Sequence, residues 1–251
     1  MPRVVTLGTS AALPGDTREF TFLLVEGERE AYLVDCAGSP QQRLLQAGLA
    51  LEKLQGIFVT HYHPDHIYGL PVLLTGLWLS GRRQPLHMYG PEQSVQVLQA
   101  LGEVFGWDAW PDWLPIVYHG VAEKEHTLVF DSPEFLLTSS PGTHLTVTTL
   151  AVRMMSKRTG GSMVYSSDTQ PCEAILRLAR GADILMHEAT GAQSGHSSAA
   201  QAGTIARLAG VGSLVLVHYP QAEEAWQLKE QAGREYSGPI EVAIDLASYE
   251  F

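Results

Sequence analysis

The chain has 251 residues, 45% of them hydrophobic, which is ample for a core, and a formal net charge of -11. That charge argues against a surface that wraps nucleic acid by neutralising phosphates, since such surfaces are basic. No apolar run reaches the roughly 18 to 20 residues that cross a bilayer, and the start MPRVVTLGTSAALPGD lacks a signal peptide's long apolar core, so a cytoplasmic protein without membrane contact is expected. Cys36 and Cys172 lie far apart and read as unpaired small hydrophobes.

In chain order, the strand-like RVVTLGT, FTFLLVEG and AYLVDCA lead to a helix-like PQQRLLQAGLALEKL, the apolar strand GIFVT and then a polar loop. A second block opens near Pro115 with LPIVYHG, HTLVF, EFLLTSS, LTVTTLAVRMM and GSMVYSSD. It continues as helix PCEAILRLARG, strand ADILMHEA, helix SSAAQAGTIARLAG, strand SLVLVHYP and helix EEAWQLKEQAGREY. The two halves, about 1–110 and 115–251, share one plan of strands followed by alternating strand and helix. An αββα sandwich of two mixed sheets with helices outside buries that pattern best, as a single domain over residues 1–251 with its seam at GWDAWPDWLP.

The loop after GIFVT reads HYHPDH, so His61, His63, Asp65 and His66 fall within six positions. Imidazole and carboxylate suit zinc and other borderline metals, and unpaired histidines crowded together serve no packing purpose. Four ligands on so short a loop do not easily reach one ion. The simplest division gives His61 and His63 to one metal and Asp65 and His66 to a second. The ligands still needed are found at other strand ends: His144 at the start of a strand, Asp168 closing YSSD before a helix, and His218 closing SLVLVH. His187 reads as a packed core residue, while His87, His119 and His126 read as surface or satisfied histidines.

With these ligands come LGTSAALPGDTRE, LVDCAGSPQQRLL, IFVTHYHPDHIYGLPVLL, LHMYGP, YSSDTQPCE, MHEAT and GHSSAAQAG, covering nearly the whole chain. This set resembles the metallo-β-lactamase superfamily and, within it, the ribonuclease Z-like branch. The resemblance implies that His61, His63 and His144 bind one metal, that Asp65, His66 and His218 bind the other, and that Asp168 bridges them. Two zinc ions, with manganese or iron tolerated, would lower the pKa of a bridging water and clamp both oxygens of a phosphodiester. Asp65 then serves also as proton acceptor. His196 looks like the family's histidine acting on the transition state or leaving oxygen, with Glu188 the candidate to orient it.

Three departures bear on substrate. The family's long Gly- and Pro-rich arm that grips precursor tRNA, normally between the His144 and Asp168 motifs, is replaced by two strands joined by SKRTGGS, where Lys157 and Arg158 read as a solvated hairpin tip. The serine and arginine after the last metal histidine give way to HYPQAEE, and DCAGSPQQ lacks an acidic residue often found there. The expected activity is therefore hydrolysis of small phosphodiesters, with RNA disfavoured. The alternatives are a tRNA 3′-processing endoribonuclease, an arylsulfatase-, lactonase- or thioesterase-like hydrolase, and a non-catalytic metal-binding module. Trp107, Trp110 and Trp113 read first as core or seam packing, with an apolar lip over the site or a homodimer contact as the lesser reading.

Overall fold

The computed structural model describes residues 1–13 and 15–251; Pro14, within the opening LGTSAALPGDTRE motif, lies outside the described residues. In order, the first sheet and its helices are β1 (Arg3–Gly8), β2 (Phe22–Glu26), β3 (Ala31–Val34), α1 (Pro40–Gln46), β4 (Leu54–Phe58), α2 (Pro64–Ile67), α3 (Leu70–Leu79), β5 (Leu86–Pro91), α4 (Glu92–Phe105) and β6 (Ile116–Val121). The second set is β7 (Thr127–Asp131), β8 (Phe135–Pro141), β9 (Leu150–Ser156), β10 (Ser162–Tyr165), α5 (Glu173–Ala179), β11 (Ile184–Glu188), α6 (Ala199–Ala209), β12 (Ser213–Val217), α7 (Ala225–Gly233) and β13 (Ile240–Val242). The last strand, β14 (Ser248–Glu250), returns to the first sheet.

Two seven-stranded sheets result, ordered β14-β1-β2-β3-β4-β5-β6 and β13-β12-β11-β10-β9-β8-β7. Neighbours run parallel where helices cross over, from β3 through β6 in one sheet and from β10 through β13 in the other, and antiparallel elsewhere. The expected αββα sandwich of mixed sheets is the observed architecture. The strand LPIVYHG, read as opening the second half, instead closes the first sheet. α4 returns the chain in parallel beside β5, and the sheets divide between Val121 and Thr127.

Period-two alternation explains the three apolar layers. Along β2, Leu23 and Val25 point between the sheets, while Phe22 and Leu24 point outward to a layer shared with Leu44, Leu73 and Leu77 of α1 and α3. On the far side, α5, α6 and α7 bury Ile175, Leu178, Ile205 and Leu228 against β11 and β12. Each fully buried leucine contributes about 1.5–3 kcal/mol, so these layers fix the strand ends on which the histidines stand.

Local differences from the sequence have local causes. The expected helix over 40–54 ends at Gln46 because Gly48 takes φ +78, and only a single 3₁₀ turn follows over Leu51–Lys53. His144 does not start a strand. It lies in the loop between β8 and β9, joined to Val147 by an isolated bridge. Lys157 and Arg158 cap the β9–β10 turn as expected, with Lys157 paired to Asp131 and Arg158 to Glu28 across 3.1 Å. Cys36 and Cys172 are both free thiols. Among the described residues, no helix is long and apolar enough to cross a membrane.

Candidate metal centre

The candidate ligands lie in the loops and the single-turn helix beyond the strand ends: His61, His63, Asp65 and His66 after β4, His144 between β8 and β9, Asp168 after β10 and His218 after β12. β4 stops at Phe58, and Pro64 at the first position of α2 sets a single helical turn directly after it. That turn presents His61 and His63 toward His144, and Asp65 and His66 toward His218. Gly69, which follows, permits the turn to lie against the 36–37 backbone, where an added Cβ would sit 2.9 Å from the Ala37 carbonyl oxygen.

All seven expected ligand residues converge. His63 Nδ1 lies 3.0 Å from His61 Nε2 and 3.1 Å from His144 Nε2. Asp65 Oδ2 is 3.6 Å from both His66 Nε2 and His218 Nε2. Asp168 faces both groups, with Oδ2 at 3.6 Å from His66 Nε2 and 4.0 Å from His144 Nε2, and Oδ1 at 3.5 Å from His218 Nε2.

Hydrogen bonds on the opposite ring nitrogens fix the tautomers. Thr60 Oγ1 donates to Asp35, so it accepts from His61 Nδ1 at 3.1 Å. Thr190 Oγ1 donates to the His218 carbonyl, so it accepts from His218 Nδ1 at 2.9 Å. His66 Nδ1 donates to Asp35 and His144 Nδ1 to the Gly195 carbonyl, each over 2.8 Å. In its neutral form each imidazole carries one proton, so all four then turn a bare Nε2 lone pair toward the cluster, the arrangement that metal-ligating histidines adopt. Without cations, burial opposes the charged form of His66, but Asp168 and Asp35 raise it well above its ordinary value.

Electrostatics agree. Burial, with the charges of His66, His63 and His144 and against that of Asp168, holds the His61 imidazole well below its ordinary range. Burial opposes the Asp168 carboxylate, yet His218, His66 and His61 hold it well below the usual carboxylate range. For Asp65 burial is likewise overcome, chiefly by its neighbours His218 and His66. Buried His66 Nε2, His218 Nε2 and Asp168 Oδ1 lack a hydrogen-bond partner among the described residues. Cations bound between these groups satisfy all three atoms, so the donor set fits a divalent metal pair.

His196 and Glu188 also join the site. Glu188 is fully buried and accepts from the backbone N–H groups of Thr169, Thr190 and Ser197, and from His196 Nδ1 at 3.0 Å. Burial disfavours the charged His196 ring, but the Glu188 hydrogen bond and charge, with Asp168 behind them, raise it above its ordinary value. The Ser197 hydroxyl donates to the Thr169 carbonyl, and Ser198 caps α6 in a capping box with Gln201. His187, as expected, is buried in β11 and donates to the Glu188 carbonyl at 2.8 Å, and His87 and His119 bond each other at 2.9 Å.

Sequence reasoning assigned no role to Asp35, Thr60 or Thr190. Asp35 ends the apolar strand AYLV, and an acid at such a strand end was the available signal. It accepts from Thr60 N at 2.8 Å as well as from His66, tying β3 to the ligand loop. Asp35, Ser167 and His218 adopt left-handed backbone, with φ of 63°, 53° and 48°. The cavity over the cluster measures about 470 Å³, its other wall formed by Ala11, Ala12, Leu13, Leu145 and Pro220.

A beta-lactamase superfamily domain matches residues 30–219. Ribonuclease Z of Mycobacterium bovis is 31% identical over 278 positions, spanning 98% of this chain and 97% of that protein. The chain belongs to the metallo-β-lactamase superfamily, in its ribonuclease Z-like branch. Two solved structures have the same fold. The metallo-β-lactamase fold protein YhfI of Bacillus subtilis is 23% identical with TM-score 0.85 and all of both chains covered. The short form of human tRNase Z is 25% identical with TM-score 0.80, covering 99% of this chain and 98% of that one. This metallo-β-lactamase superfamily member is a metal-dependent hydrolase, and divalent metal binding follows from its membership.

Proposed function

We propose that this protein is an endoribonuclease that hydrolyses an RNA phosphodiester with two divalent cations, in the manner its ribonuclease Z relatives are named for. The observation that carries this reading is the likeness to a ribonuclease Z over 98% of the chain. It favours RNA over the small diesters expected from the missing arm and the acidic charge. In this reading His61, His63 and His144 hold one cation, Asp65, His66 and His218 the other, and Asp168 joins the two. Nitrogen and oxygen donors of this kind suit zinc and tolerate manganese or iron. The bound pair would supply an activated water and charge neutralisation at the phosphate.

The chain's own residues handle protons and position. Asp65, kept ionised by His218 and His66 and only partly exposed at the cavity, accepts a proton at a carboxylate oxygen. His196 donates a hydrogen bond from Nδ1 to Glu188, which favours the imidazolium, and the second proton of that form, on Nε2, is the one delivered to the departing oxygen. The three backbone donors on Glu188 keep that carboxylate in register with the ring.

A second reading, hydrolysis of small phosphodiesters, rests on the interval between His144 and Asp168. β9, β10 and their short turn use it up, and the comparison with the M. bovis enzyme runs over 278 positions against the 251 residues here, so that relative carries segments without a counterpart. Side-by-side kinetics of the zinc- or manganese-loaded protein on precursor tRNA and bis(p-nitrophenyl) phosphate test both. Efficient site-specific 3′ cleavage of the tRNA is the expected result. Turnover of the diester alone would give the second reading, and inertness to both would turn attention to sulfate esters, lactones and thioesters.

A further inference from the structure

The tryptophan-rich segment after α4 forms a cavity far from the metal centre. The ligand loops follow the carboxyl end of β4, whereas this cavity opens where the parallel strand β6 begins, at the other end of the sheet. It measures about 700 Å³ and is lined by Trp107, Trp110, Trp113 and Tyr118, with Glu103 and Asp108 among the lining carboxylates. Trp107 and Trp113 stack with centroids 5.1 Å apart, and Trp110 meets Trp113 edge-on at 5.3 Å. Trp78 braces the loop, its Nε1 donating to the Pro111 carbonyl at 3.0 Å and its ring 5.0 Å from that of Trp110. The walls are thus held in place before any ligand arrives.

From residue 84 to residue 123 the formal charge has one sign, while Arg83, just before, donates to the Trp78 carbonyl at 3.2 Å. Residues 84–123 contain no lysine or arginine but five acids, Glu92, Glu103, Asp108, Asp112 and Glu123. Neither Glu103 nor Asp108 has an ion-pair partner among the described residues. Burial and the Asp108 charge together push up the Tyr118 phenol, consistent with a carboxylate close to the aromatic wall. Trp107 is 4% exposed within the outer core layer, and Trp110, Trp113 and Tyr118 pack against that layer while staying only partly buried, so each also contributes to the wall of the open volume beside the unpaired carboxylates.

We infer that this cavity binds an organic cation of the alkylated or quaternary ammonium class. The negative faces of indole rings attract a cation within about 6 Å, and an ion clothed in methyl groups loses little hydration on entering an aromatic pocket. Glu103 and Asp108 supply the balancing charge at the rim.

The test uses the full-length protein with choline as probe and 3,3-dimethylbutan-1-ol, its uncharged carbon isostere, as control. Binding is followed by tryptophan fluorescence and by calorimetry at millimolar concentrations. Choline is expected to bind saturably and about tenfold more tightly than the isostere. Glu103→Gln with Asp108→Asn should weaken choline severalfold without changing the far-ultraviolet circular dichroism, and Trp110→Leu should weaken it with the carboxylates intact. Equal binding of choline and the isostere, absence of saturable binding, or indifference to the double carboxamide variant would each overturn the assignment.

Discussion

His66 donates from Nδ1 to Asp35 across 2.8 Å, and neither side chain is exposed. Because that bond decides which nitrogen of His66 faces the metal cluster, Asp35 governs ligation without touching the cluster itself. An amide at position 35 can accept on one side only, so Asp35→Asn forfeits the bond from His66 or one of those from Thr60. Metal affinity should fall by about 10- to 100-fold in Asp35→Asn, measured by chelator competition. Wild-type affinity in this variant would mean that Asp35 merely fills space.

The two ligand groups call for two ions. Metal analysis of protein reconstituted with zinc should give two per chain, and removing Asp168, which faces both groups, should lower the count below two. A stoichiometry of one in the presence of excess zinc would contradict the division of ligands proposed above.

His196 separates binding from chemistry. Its Nδ1 is 3.9 Å from Asp168 but is engaged by Glu188 at 3.0 Å, so His196→Ala should keep both ions and lose about a hundredfold or more in kcat. Should His196→Ala lose metal as readily as Asp168→Ala, His196 is a ligand and not a proton donor.

Glu188 offers a finer test of the same pair. Glu188→Gln replaces an acceptor of four hydrogen bonds by a group with one carbonyl oxygen, which turns an amide donor toward the Thr190 N–H or toward His196. Activity should fall by at least tenfold, with the alkaline limb of the kcat profile displaced to lower pH because the carboxylate raises His196. The sign follows from the direction of the shift: without that charge the imidazolium loses its proton at lower pH, so the fraction able to donate declines earlier as pH rises. An unmoved profile would separate Glu188 from the proton transfer.

Much of this centre was legible in the sequence because metal ligation demands particular side chains at short spacing. His61, His63, Asp65 and His66 announce themselves within one turn, and His144, Asp168 and His218 follow because strand ends can be read from apolar runs. The partners behind them were not legible. Thr60 and Thr190 are ordinary threonines until the fold sets their hydroxyls against a ring nitrogen, and Asp35 meets His66 across 31 residues of chain. The placement of β6 was missed for a related reason: sheet membership is a long-range choice, made by the packing of α4.

The left-handed backbone at Asp35, Ser167 and His218 has a thermodynamic consequence. Each such residue costs roughly 1–2 kcal/mol in the folded state, and all three border the same cluster of ligands. The apo protein therefore carries its least comfortable backbone where the ions bind, and ligation offsets that cost only while the ions stay. Stripping the metal should lower the melting temperature by more than the loss of an ordinary surface ligand would. Ser167→Gly relaxes one of the three and should raise the melting temperature of the metal-free and loaded protein alike, offset by the loss of the Ser167 hydroxyl's bond to Thr149.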